Sequence, residues 1–129
     1  MDKVVNGLAH VGLFINDLDK EVEFYTKVLD FDCIETCTIG DMKIAFVANG
    51  SCCIELVQGP EKIYRGDGYF DHLALNVNDI EAVKAKLEER GVEFTEQLVY
   101  DPNVFAPKGS KWILFRGPEG ERLELNERM

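Results

Sequence analysis

Residues 8–31, LAHVGLFINDLDKEVEFYTKVLDF, and residues 70–94, FDHLALNVNDIEAVKAKLEERGVEF, are two versions of one pattern. In each, an apolar residue stands two positions before a histidine, alternating apolar positions follow, then Asn-Asp, then an amphipathic stretch. His10 and His72 lie 62 residues apart, as do Asn16 and Asn78, and Asp17 and Asp79. A register that holds from one element into the next marks an internal repeat. The period changes from 2 to 3.6 along each copy, so each reads as a strand followed by a helix.

The helices have local reasons to begin and end where they do. Asn or Asp at 16–17 and 78–79 can cap free backbone amides, and Asn78 with Glu81 fits a capping box. Leu18, Val22, Tyr25 and Val28 form one apolar stripe, and Ile80, Val83 and Leu87 its counterpart, with Gly91 suited to the end of the second helix. Beyond the first helix, KIAFVANGSCCIELV (43–57) is two apolar runs around Asn-Gly, a hairpin signal. Its counterpart is WILFRGPEGERLELN (112–126). Phe46 and Glu55 are nine apart, and so are Phe115 and Glu124, but the offset between halves has grown from 62 to 69. The second half therefore carries about seven extra residues, placed in the Pro/Gly-punctuated loop VYDPNVFAPKGSK (99–111).

The expected architecture is α+β: two tandem βαβββ modules whose strands make a curled mixed sheet around a trough. Module 1 covers about 5–58, the segment GPEKIYRGDGY (59–69) links, and module 2 covers about 70–127. Neither half is large enough to be secure alone, so residues 1–129 are read as a single domain.

With 46% hydrophobic and 29% charged residues, the composition is that of an ordinary globular protein. A net charge of −10 repels phosphate backbones and anionic bilayers, which argues against nucleic acid and membrane surfaces as partners. The apolar runs are too short to span a bilayer, and MDKVVNGLAH lacks the apolar centre of a signal peptide, so the expected compartment is the cytoplasm. Cys33, Cys37, Cys52 and Cys53 match no common zinc or redox spacing, and adjacent strand residues point to opposite faces. They are expected to be reduced and mostly buried. Asn49-Gly50-Ser51, formally a glycosylation sequon, reads as a turn.

Four polar residues interrupt apolar strands at equivalent points: His10 and His72 in the first strand of each half, Glu55 and Glu124 in the last. Their neighbours, Ala9 and Val11, Leu73, Ile54 and Leu56, Leu123 and Leu125, are apolar. Alternation sends those neighbours to a core and the His or Glu to the other face. A single strand histidine is usually a hydrogen-bonded core or surface residue, and a single strand glutamate usually meets solvent. Four of them in matching pairs are a stronger signal. If both sheets curl into one trough, two imidazoles and two carboxylates converge on a mixed nitrogen–oxygen site apt for a divalent first-row ion, with two of six positions left for substrate or water.

The duplicated unit, with HVGLFINDLDKEVEFYTKVLDFD, DHLALNVNDIEAVKAKL and FRGPEGERLELNE, resembles the vicinal oxygen chelate superfamily over nearly the whole chain. Its His, Glu, His, Glu order is similar to the ligand set of glyoxalase I (lactoylglutathione lyase), which the resemblance carries onto His10, Glu55, His72 and Glu124. That resemblance implies a metal-dependent lyase or isomerase that chelates vicinal oxygens of a small carbonyl substrate and moves a proton through an enediolate. It implies one divalent ion per site (nickel or zinc before cobalt, manganese or iron), Glu124 and Glu55 as proton carriers with Glu124 first, and a homodimer. Two positions depart from bacterial glyoxalase I. Phe14 stands where that family has an arginine, four residues after the first ligand, and Gly59 stands where it has an asparagine, four after the second.

Candidate substrate contacts follow. Phe14 shares a face with His10 and makes either an apolar wall beside the ligands or a packing contact, while Lys108, before Gly109, would meet an anionic group. Met42, Ile44 and Phe46 would line the trough, as would Lys111, Ile113 and Phe115, leaving Trp112 for the core; a one-residue register slip would invert all six. Competing readings are a methylmalonyl-CoA-type epimerase, whose usual glutamine is replaced here by Glu55, and a non-catalytic drug-binding module like the bleomycin-resistance branch. The last is an oxygenase with His10, His72 and Glu124 as an iron triad.

Overall fold

The computed structural model describes residues 5, 7–64, 66–68 and 70–129. The chain divides into two compact units, Met1–Tyr64 and Arg65–Met129, with the boundary inside the segment read as a linker. Arg65 and Tyr69 of that segment, and residues 1–4 and 6 of the stretch read as lacking a signal peptide's apolar centre, lie outside the described residues.

In the first unit, β1 (Val11–Ile15) leads into α1 (Leu18–Glu23, continued by a π-turn over Phe24–Val28). Then come β2 (Asp32–Ile39), β3 (Met42–Asn49) and β4 (Cys52–Gln58). The second unit repeats this with β5 (Leu73–Asn76), α2 (Ile80–Glu89), β6 (Val99–Asp101), β7 (Ser110–Arg116) and β8 (Arg122–Arg128). The strand orders are β1-β4-β3-β2 and β5-β8-β7-β6. In each sheet the first and last strands of the module pair in parallel and the other pairs are antiparallel. The modules are thus βαβββ units forming two mixed four-stranded sheets. Among the described residues no helix is long and apolar enough to cross a membrane.

The repeat holds at the level of single hydrogen bonds. Asp17 Oδ1 accepts from the Lys20 amide and Asp79 Oδ1 from the Ala82 amide, both at 3.1 Å. The aspartate of each Asn-Asp pair is therefore the cap, and the box expected from Asn78 and Glu81 starts one residue too early. The same helix ends are tied to the last strand. Gln58 Oε1 accepts from Leu18 N, and Glu127 Oε1 from Ile80 N, each at 2.9 Å. Gly91, at φ +94°, closes α2 in the left-handed conformation that favours glycine. Most of the core lies between the sheets and these helices, with Ala45, Val47, Ile54, Leu56 and Tyr25 in the first unit and Ile80, Leu87, Ile113, Leu123 and Leu125 in the second, while Ile44 and Val57 are buried on the Glu55 face. Of the expected stripe on α1, Tyr25 is fully buried, while Leu18, Val22 and Val28 are half-buried and Glu21 is fully buried.

The second hairpin corrects the sequence reading. In the first hairpin Asn49 pairs with Cys52 across Gly50-Ser51, and Phe46 stands opposite Glu55. In the second, Arg116 pairs with Arg122 across the longer 117–121 turn, so Leu114, not Phe115, stands opposite Glu124. One turn has an even number of residues and the other an odd number, and with a side-chain period of 2 that difference inverts the strand. Ile113 and Phe115 consequently join Leu123 and Leu125 in the core, Phe115 against the Phe94 ring at 5.4 Å. Lys111 leaves on that same side to meet Glu81 of α2 at 2.8 Å. Trp112 and Leu114 take the Glu124 face instead.

The insertion sits where the offset change put it. Ile39 and Met42 close the β2–β3 turn, whereas Asp101 and Ser110 bracket residues 102–109 in the second unit. Its first residues, Val99–Asp101, form β6 rather than loop. A Cβ on Gly109, at φ +87°, would lie 2.5 Å from the Asp101 carbonyl, so glycine is required there. The cysteines are free, as expected, but Cys33 and Cys37 are exposed on β2 and Cys52 and Cys53 are half-buried. Burial raises the Cys52 thiol above its usual range, with Cys53 beside it adding to the effect.

The observed register predicts that Ile113→Ala lowers unfolding stability by about 2–5 kcal/mol and costs clearly more than Leu114→Ala. Urea titration of both variants measures this. The reverse order would contradict the register.

Candidate functional site

The burial of Ile54 and Leu56 forces Glu55 to the other face of β4, and Leu123 with Leu125 does the same to Glu124 on β8. Parallel pairing then brings each histidine beside its glutamate. Gly12 of β1 lies opposite Glu55 and Ala74 of β5 opposite Glu124, and His10 and His72 each stand two residues earlier. His10 Nε2 is 3.4 Å from Glu55 Oε1, and His72 Nε2 is 3.2 Å from Glu124 Oε1. The structure thus assembles the four residues as two His–Glu pairs, one in each unit. Among the described residues no group of three or more His, Cys, Asp or Glu side chains is gathered as a metal cage.

The surroundings of the pairs differ. Glu124 is 8% exposed, and its second oxygen accepts from Asn126 Nδ2 at 2.7 Å. His72 Nδ1 faces Asp71 Oδ2 at 2.8 Å, and Arg122 also engages that oxygen. The hydrogen bond from His72, and then the Arg122 guanidinium, hold the Asp71 carboxyl below the usual aspartate range. A second strap lies close by. Arg116 binds Asp67 through both guanidinium nitrogens, at 2.5 and 3.1 Å, and this lowers the Asp67 carboxyl in the same way. Asn126 and Arg122 went unnoticed in the sequence, although each sits two residues from Glu124 and so shares its face.

In the first unit His10 packs edge-on against Phe46, with ring centroids 5.4 Å apart. Phe14 is 52% exposed and stands on the same face of β1 as Gly12 and His10. Gly12 lies against Glu55, where a Cβ would make an ordinary contact at 3.5 Å with Oε1. Of the other expected contacts, Lys108 lies in the insertion, in a shallow concavity with Phe105, Pro107 and Arg128. Its carbonyl accepts from the Tyr100 hydroxyl at 2.9 Å. Lys111 and Phe115 are on the helix-bearing face of their sheet, away from Glu124.

The donor set and spacing fit a divalent ion. Zinc–nitrogen and zinc–oxygen bonds of about 2.0–2.2 Å put neighbouring ligand atoms about 2.8–3.6 Å apart, from right-angled to tetrahedral arrangements. The Nε2–Oε1 distances of 3.4 and 3.2 Å lie within that span.

Comparison with known proteins agrees with the fold. The profile of the glyoxalase/bleomycin resistance protein/dioxygenase superfamily matches residues 7–125. The chain belongs to this superfamily. The uncharacterized protein YwbC of Bacillus subtilis (strain 168) is 28% identical over 94% of this chain and 97% of its own. The probable lactoylglutathione lyase of Synechocystis sp. is 29% identical over 92% of each chain. The crystal structure of the glyoxalase family protein from Enterococcus faecalis superimposes with a TM-score of 0.76 at 25% identity, over 95% of this chain and 98% of that one. Members of the superfamily often depend on a metal and bind small molecules.

The Asp67–Arg116 pair predicts a pH effect with a definite sign. A depressed folded pKa gives stability that is present above the unfolded aspartate value, about 3.9, and lost as pH falls through the lower folded value. Asp67→Asn should therefore lower the urea midpoint slightly at neutral pH, and the gap to the wild type should close as the pH drops below that value. A gap independent of pH would contradict the pairing. Asp67 is exposed, so salt screening keeps the effect small.

Proposed function

We propose that this protein is a metal-dependent lyase or isomerase of the glyoxalase I type, acting on a small carbonyl compound with vicinal oxygens. The observation that carries the reading is the pair of matched His–Glu contacts at metal-ligand spacing, His10–Glu55 and His72–Glu124. These four residues would serve as ligands to a divalent ion, nickel or zinc first, each pair supplying one imidazole and one carboxylate. A bound ion would act as a Lewis acid on the substrate oxygens and acidify the carbon next to the carbonyl.

The chain's own residues supply the rest. Glu124 and Glu55 take a proton from that carbon and return it to the same or the neighbouring carbon. Glu124 is buried, with one oxygen bound by Asn126 and the other turned to His72, so its carboxylate is aimed before substrate arrives. Phe14 and Phe46 provide an apolar wall beside the first pair. With Phe14 and Gly59 at the two positions where bacterial glyoxalase I contacts glutathione, the substrate is a carbonyl compound other than the standard glutathione adduct. Lys108, on the insertion, would meet an anionic group on it.

The test is deuterium exchange from solvent into candidate substrates: hemithioacetals of several thiols, 2-keto acid thioesters and keto-sugars. At least one should exchange with the metal-loaded wild type, and Glu124→Gln and Glu55→Gln should each slow it about 10²–10⁴-fold. Tight binding of a compound without exchange in any would instead support the binding-module reading.

A further inference from the structure

The internal repeat supplies its own control for the second His–Glu pair. Around His72 and Glu124 stand Asp71 on the imidazole Nδ1, Arg122 on Asp71, and Asn126 on the carboxylate. At the equivalent points of the first module are Ala9, Cys53 and Val57, by offsets of 62 and 69. None of these can orient an imidazole or carboxylate by a charged hydrogen bond. The repeat's shared fold therefore does not require the Asp71–Arg122–Asn126 arrangement; it exists only where it touches the second pair.

We propose that Asp71, itself anchored by Arg122, is a positioning residue that keeps the His72 proton on Nδ1. This rests on the reading of His72 and Glu124 as metal ligands. Both nitrogens of His72 face carboxylates, and a neutral imidazole has a single N–H to offer. If that proton sat on Nε2 it would bind Glu124, and the lone pair needed for an ion would point at Asp71. The shorter contact, 2.8 Å to Asp71 against 3.2 Å to Glu124, favours Nδ1. Nε2, beside the Glu124 oxygen, is then the nitrogen left for an ion. Arg122 fixes the Asp71 carboxylate in turn. It reaches from the first residue of β8, the strand that carries Glu124, so one strand orients both members of the pair.

The chain has only two histidines, which makes the proposal directly measurable. In ¹⁵N-labelled, chelator-treated protein well above the ordinary imidazole pKa of about 6.5, long-range ¹H–¹⁵N spectra show just two rings. His72 should have its proton on Nδ1. Asp71→Ala should move it towards Nε2 and weaken zinc or nickel affinity about 10–100-fold, measured by chelator competition. Asp71→Asn should restore part of both, and Arg122→Gln should shift both in the same direction by less, while the His10 signals stay in place as the check on folding. A wild-type His72 protonated on Nε2, or an Asp71→Ala protein with unchanged His72 shifts, would overturn the proposal. Wild-type protein that binds no metal refutes the ligand reading instead, and the metal-free spectra still decide where the His72 proton sits.

Discussion

Alternation along β4 and β8 governs the protein. Ile54 and Leu56 must be buried, and so must Leu123 and Leu125. A side chain between two buried neighbours has only the opposite face to occupy. Glu55 and Glu124 are therefore put on that face by their neighbours, and parallel pairing with β1 and β5 sets a histidine next to each. Burying one aliphatic side chain yields about 1.5–3 kcal/mol, so the four together outweigh the cost of holding each polar pair in place. Packing thus fixes the position of the donors, and their chemistry follows from that position.

Much of this was legible because it depends on local periodicity. The 62-residue offset identified the repeat, and Asp17 and Asp79, Gln58 and Glu127 show it persisting in hydrogen bonds that tie each helix to its last strand. What escaped was long-range or parity-dependent. The nine-residue spacing shared by Phe46–Glu55 and Phe115–Glu124 suggested identical hairpins, yet turns of different parity put Leu114 rather than Phe115 across from Glu124. Trp112 and Lys111 exchanged faces for the same reason. The burial of Glu21 and the exposure of Cys33 and Cys37 likewise depend on tertiary surroundings that no short window contains.

The two His–Glu pairs share a backbone plan and differ in support. The second is braced by charged and amide side chains reaching from β8 and from the residue before His72, while the first is bounded by aromatic rings and a glycine. A duplicated fold allows this division, because each copy keeps the strand geometry while its face residues are free to diverge.

The proposal that His10, Glu55, His72 and Glu124 are ligands to a divalent ion stands at the centre. Its most direct test is metal content, by plasma mass spectrometry, of untagged protein purified without chelator. The account predicts close to one divalent ion per chain, lost when either His10 or His72 is replaced by alanine. Protein that carries no metal, and takes up none from added nickel, zinc, cobalt, manganese or iron, would contradict it.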